Sequence, residues 1–371
     1  MGRQSSGNRA AAGSADVTAL TIKARRQELP QATPEGEMVI GLNVAVVAVT
    51  DEEPRVLTVR RVSHTLGGAQ APGAAAPDAA DVPEALPFGP FEPLHHRTLA
   101  SGLRSWVEEQ TSLKLGYLEQ LYTFADRGRD PRERQGGPRV ISIGYLALVR
   151  EAPPGGAGDG IWQNWYHYFP WEDWRDGAPA VLDETIRPLL ERWAKTGSNA
   201  EERQARAHRI AVAFGLGRGW SDEHVLDRYE LLYEAGLVAE AMRDRALHGD
   251  PPPPFDPPPL GHVMALDHRR ILATAMGRLR AKIKYRPVVF ELMPPTFTLF
   301  QLQRTVEALA GQRLHKQNFR RLVEQTGLVE RTGTLESRTG GRPAEQFRFR
   351  REVLTERQAQ GVRLTALRRG G

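Results

Sequence analysis

The sequence predicts an α+β protein in two parts. A mixed sheet with helices packed on it comes first, and a smaller basic unit of two helices and a β-hairpin follows. Three observations predict this. Runs rich in β-branched and apolar residues at 38–49, 56–61, 117–124 and 139–149 are interrupted by a loop-and-helix stretch at 86–113. Helical periodicity returns at 181–194, 199–247 and 265–327. Charge is divided as well. Residues 263–371 hold 22 Lys+Arg against 9 Asp+Glu, a net of +13, while residues 1–262 hold 28 against 36, a net of −8. A basic part joined to an acidic part points to a polyanionic partner for the basic one.

The 371 residues leave room for two or more domains, and a hydrophobic fraction of 40% supports real cores. There is no cysteine, so disulfides and thiolate metal sites are excluded. No signal peptide or long apolar run is seen, so a cytoplasmic protein without a membrane partner is expected.

In chain order, residues 1–36 are rich in Gly, Ala, Ser and Arg and read as a disordered tail. Residues 38–49 form a central strand, and 56–61 pair with it across an Asp-Glu-Glu-Pro turn. Residues 65–85 are an Ala/Gly/Pro-rich surface loop. The Pro/Gly stretch 86–91 reads as a turn that opens a loop. Leu99, Leu103, Trp106 and Val107 then recur at helical spacing, with Leu113 closing the pattern. Strands follow at 117–124 and 139–149, separated by the loop 125–138. The aromatic stretch 165–175 could form a wall over a nucleotide base, but packing into the domain edge is the better reading. Residues 181–194 and 199–247 read as helices, and 251–259 as a polyproline spacer.

A strong helix at 265–285 begins near Asp267. The next, 295–311, has Thr298 as its N-cap, a stripe of Leu299, Leu302, Val306 and Leu309, and Gly311 as its stop. A third helix, 315–327, leads into strands at 328–333 and 346–351. Helix, short turn, helix and hairpin make a winged helix-turn-helix. Laid out by angle, Phe319, Leu322 and Val323 of the third helix face the core. Gln317, Arg320 and Arg321 point away, flanked by Lys316 and Asn318. Amide and guanidinium groups pointing outward suit base edges and phosphates in a major groove. Arg331, Arg338 and Arg342 in the wing suit phosphates or the minor groove. A solvated basic face is the competing reading. Helix order, the Gly-Gly-Arg-Pro wing tip and the net charge favour double-stranded DNA.

The helix at 99–113 resembles a Nudix box. Aligned on Val107 and Leu113, the pattern's metal-binding glutamates fall on Trp106, Glu109 and Gln110, and its glycine on Ser112. An earlier glutamate falls on Arg97, or on His95 if counted from Gly89. Positions 106, 109 and 110 share one helix face. Three carboxylates there would bind Mg²⁺, which demands several hard oxygen ligands. One carboxylate, one amide and one indole do not, so the box is kept as a shape and lost as a catalyst. Glu109 is expected to persist as a structural hydrogen-bonder.

The stretches LPFGPF at 86–91, TLASGLRSWVEEQTSL at 98–113, YLEQLYTFADRGRDPR at 117–132, the strand after it, and most of 265–351 resemble one family. It is the NrtR-like, Nudix-related transcriptional regulators of NAD metabolism, and within it the NadQ-like branch. The resemblance implies a degenerate Nudix-like α/β/α sandwich domain followed by a C-terminal winged helix-turn-helix domain. On it, 37–195 would be the effector-binding domain, 196–262 a helical insert and polyproline linker, 263–285 a connecting helix, 286–355 the DNA-binding domain and 356–371 a flexible tail. It further implies a homodimer that represses NAD or niacin genes from a palindromic operator. No cofactor would be required. The effector would be NAD, ADP-ribose or an adenine nucleotide, and catalytic and metal-ligating residues would be absent. Arg129, Asp130 and Arg132 match the family's stretch beside the pocket, where guanidinium groups suit pyrophosphate. Arg60 and Arg61, ending the second strand, are further candidates. Each has a surface ion pair as its alternative role. Two other functions compete: an active Nudix hydrolase of ADP-ribose or another nucleoside diphosphate derivative, and an RNA reader. The broken box argues against the first, and the absence of outward aromatics on 315–325 against the second.

Overall fold

The computed structural model describes residues 38–60, 83–130, 133, 136–156, 160–217, 219–251, 258–336 and 343–352. The terminal tails and most of the Ala/Gly/Pro-rich loop lie outside them, as do Arg61, Arg132, Arg338 and Arg342.

β1 (Met38–Thr50) is the centre of a mixed sheet. Leu42 to Ala48 are buried without interruption, as expected of a strand covered on both faces. It runs parallel to β5 (Arg139–Leu148) from Met38↔Arg139 to Val47↔Leu148. It is antiparallel to β2 (Glu53–Thr58) and to a short β3 (Phe88–Pro90). With β4 (Tyr117–Phe124) and β6 (Ile161–Asn164) the order is β4-β5-β1-β2-β6. The 86–91 stretch is therefore partly strand, not only turn. Gly89 and the Pro90 carbonyl face the following helix, and this contact fixes an extended backbone there.

The side chains of β1 alternate between two cores. Leu42, Val44 and Val46 pack under α1 (Leu99–Thr111) with Leu103 and Val107. Ala45 and Val47 face the opposite layer with Ile271, Leu272 and Ala275 of α6 (His268–Ile283). This is the helix–sheet–helix sandwich. α4 (Val225–Glu234) packs on α6, α3 (Ala200–Ala213) and α5 (Ala239–His248) pack on α4, and α2 (Arg187–Lys195) packs on α3. The aromatic stretch is core: Trp165, Tyr166, Tyr168, Phe169 and Trp171 are buried, within and between two short 3₁₀ turns. Within the stretch 199–247 read as helical, the chain breaks at Ala235–Val238, where Gly236 takes φ 72°.

α6 is buried on almost every side, so it joins layers rather than linking free domains. Its polar core residues are matched. Arg280 and Arg228 both reach the buried carboxylate of Glu172, at 2.6 Å each. Arg269 meets Glu240 at 3.1 Å and the Tyr168 carbonyl at 3.0 Å.

The C-terminal unit contains α7 (Leu299–Ala310), α8 (Lys316–Thr326), β8 (Val329–Glu336) and β9 (Ala344–Phe349). Thr298 caps α7 in a capping box with Gln301, and Gly311 closes it in the left-handed region, as expected. A third strand, β7 (Phe297–Thr298), joins the hairpin through β9. It is too short to read from alternation. Together these elements are a winged helix-turn-helix.

Candidate functional site

The site is best built from α1. Its Thr98 cap and Ser101 make a capping box, and Ser112 ends it at φ 58°. That is the left-handed turn for which the Nudix pattern uses glycine, and it leaves Leu113 beyond the helix. Trp106 donates its indole N–H to the Pro90 carbonyl at 2.8 Å. Its ring lies so close over Gly89 that any Cβ there would overlap it. Gln110 makes two bonds to Phe88: its oxygen accepts from the backbone N–H at 3.2 Å, and its amide donates to the carbonyl at 2.6 Å. The two positions that carry carboxylates in the Nudix pattern thus fasten β3 to α1. Glu109 is exposed and forms no hydrogen bond or ion pair among the described residues, which corrects its expected structural role. Among the described residues no three His, Asp or Glu side chains group as a metal site would require.

On the other side of β3 is a cleft walled by Gly41 and Asn43 of β1, Phe88 to Pro90, Ser142 of β5, Arg129 and Asp130 from the loop before β5, and His268 at the start of α6. Its empty volume is about 370 Å³, part of it open to solvent. Arg129 and Asp130 both line this cleft. Arg60 is not on this wall. It pairs with Glu84 at 3.2 Å, the surface role the sequence left open.

Arg129 is almost fully buried. It donates to the Ser142 hydroxyl at 2.5 Å and holds the Asp267 carboxylate with both Nε, at 3.0 Å, and Nη2. Next to it, His268 accepts the Leu86 N–H on Nδ1 at 3.0 Å, so in the neutral ring Nε2 carries the proton. Burial pushes the His268 pKa down to about 3, and the positive charges of Arg129 and Arg243 add to this. The imidazole is therefore a neutral donor. Asn43 is 2% exposed, and its side chain has no hydrogen bond among the described residues. The cleft thus offers a cation, two neutral polar groups and an aromatic edge, a set that suits a phosphorylated, acceptor-rich ligand.

Asp267, His268, Ser142 and Asn43 were not singled out from the sequence. Asn43 left a signal, as the one polar side chain inside the apolar run 38–49. Asp267 was read only as a helix start.

The second surface is α8. Phe319 and Val323 are buried, while Lys316, Gln317, Asn318, Arg320 and Arg321 are all exposed. None of the three cations among them has an ion-pair partner among the described residues. Arg331 is exposed in β8 and faces Glu345 at 3.4 Å.

Residues 289–349 match the family described as the NrtR DNA-binding winged helix domain. This stretch of the chain is similar to an NrtR winged helix. The NrtR-type domain begins in the 3₁₀ turn after α6 and ends with β9. One curated relative is the ADPR responsive transcriptional repressor NtrR of Acinetobacter baylyi, 41% identical over 86 residues. That match spans 23% of this chain and about a third (34%) of the relative's length. Among solved structures, NrtR of Shewanella oneidensis complexed with a 27mer DNA aligns at a TM-score of 0.49 and 18% identity. The alignment covers 87% of this chain and 98% of that one. A MutT/nudix family protein of Enterococcus faecalis aligns at 0.46 and 16%, covering 91% and 94%. Among the described residues no helix is long and apolar enough to cross a membrane.

Proposed function

We propose that this protein is a transcriptional repressor of NAD or niacin genes. In this reading the NrtR winged helix binds double-stranded operator DNA, and the cleft beside β3 senses an NAD-related nucleotide, with ADP-ribose the first candidate. The chain acts in the cytoplasm as a homodimer on a palindromic site and hydrolyses nothing. The observation that carries the reading is the unpaired outward face of α8, with Lys316, Arg320 and Arg321 free to meet phosphates and Gln317 and Asn318 free to meet bases. The relative's description as ADPR responsive supports the choice of effector. Trp106 and Gln110, occupied with β3, support the absence of catalysis.

A gel shift on the DNA upstream of the gene tests it, run across a salt series with and without ADP-ribose, NAD or ATP. The expected result is a specific complex that weakens steeply with salt and responds to one of the nucleotides. Mg²⁺-dependent release of AMP from ADP-ribose, with no specific shift, would sink the reading.

A further inference from the structure

Asp267 sits at the N-cap position of α6, yet its side chain caps nothing. Aspartate there normally accepts from the second or third amide of the helix. Here the carboxylate is turned aside onto Arg129, which grips it with two nitrogens. The backbone pays for this orientation: Leu266, just before it, is held at φ 50°, a region that a branched side chain rarely occupies. The Leu266 carbonyl is also bound by Arg243, at 2.7 Å.

A carboxylate on a guanidinium has the shape and charge of a phosphate on one. Arg129 lines the cleft that also holds the unpartnered Asn43 amide, and Asp267 falls between two other lining residues, Leu266 and His268. We propose that Asp267 is an internal counter-anion, holding Arg129 until a diphosphate-bearing ligand displaces it. This rests on the effector reading above. Displacement leaves no charge stranded. Arg129 exchanges one anion for another, and the freed carboxylate turns back to cap the amides of Arg269 and Arg270. Both arrangements satisfy the same groups, so a ligand needs only a modest preference to shift between them. Leu266 is held at φ 50° in one and released from it in the other. At its far end the same helix contacts the winged helix through Arg280 and the Leu309 carbonyl, 2.9 Å apart.

The test uses the full-length protein, with ADP-ribose as probe and inorganic pyrophosphate as a second probe, read by calorimetry. Asp267→Asn keeps the shape and the capping ability but loses the charge, and should bind ADP-ribose about tenfold more tightly, the equivalent of one charge-assisted hydrogen bond. Arg129→Lys should bind it more weakly. A purely structural role for the pair would weaken binding in both variants. Hydrogen exchange on the wild-type protein provides a check that does not depend on a variant folding: ADP-ribose should slow exchange at the Arg269 and Arg270 amides. Unchanged or weaker binding by Asp267→Asn, or unaltered exchange at those amides, overturns the proposal while leaving ADP-ribose as effector. If the wild type binds neither probe, the effector reading falls and the proposal with it.

Discussion

Arg280 donates one hydrogen bond to the Leu309 carbonyl at 2.9 Å and another to the Glu172 carboxylate at 2.6 Å, so one side chain ties α6 both to the winged helix and to the aromatic core. Gly311 is required beside it, because a Cβ there would press on the Glu172 carbonyl, the Arg280 guanidinium and the Tyr166 hydroxyl. Arg228 completes the triad from α4. All three side chains are fully buried. Burial alone would raise the Glu172 pKa, but Arg228 and Arg280 together outweigh it and hold the carboxyl below its ordinary value. Glu172→Gln should therefore cost about 3–5 kcal/mol in urea unfolding, because it leaves two buried cations without their counter-charge. A loss under 1 kcal/mol would mean that water reaches the triad.

His268 predicts a pH dependence with a definite sign. Its folded pKa is lowered to about 3 while the unfolded value stays near the ordinary 6.5, so the unfolded chain binds the extra proton. Its contribution is fully present above pH 6.5 and fades as pH falls toward 3, with about 2 kcal/mol gone by pH 5. The wild type should lose stability between pH 6.5 and 5, and His268→Asn should flatten that part of the profile. Identical slopes in the two proteins would place the proton elsewhere.

Arg320→Ala with Arg321→Ala should remove specific DNA binding with little change in melting temperature, since both side chains are exposed. If both meet phosphates, the residual salt dependence of binding should be shallower by about 2 in log–log slope. Fluorescence anisotropy on the upstream DNA measures both quantities. Wild-type affinity in the double variant would move the interface off α8.

Trp106→Glu with Gln110→Glu rebuilds a carboxylate face together with Glu109. The variant loses the indole bond to Pro90 and sets a carboxylate against the Phe88 carbonyl. It should be less stable than wild type by about 2–4 kcal/mol. Mg²⁺ should raise its melting temperature and leave that of the wild type unchanged. If Mg²⁺ acts equally on both, these positions are not where the Nudix carboxylates would converge.

The sequence alone determined what depends on neighbours along the chain. The β1 run, the Thr298 cap, the Gly311 stop and the outward face of α8 follow from local spacing, and the structure has each of them. The loss of the carboxylates at 106 and 110 is also a fact of sequence. What those positions do instead is not, because the Phe88 and Pro90 backbone groups they hold become neighbours only when β3 pairs with β1. The same holds for the polar contacts that join the parts of the molecule. Arg129 meets Asp267 across 138 residues, and Arg280 meets Glu172 across 108. Periodicity says which face of a helix is buried, but an ion pair needs a partner at a set distance and angle. Only the packing of α6 between the sheet and the helical layer selected those partners.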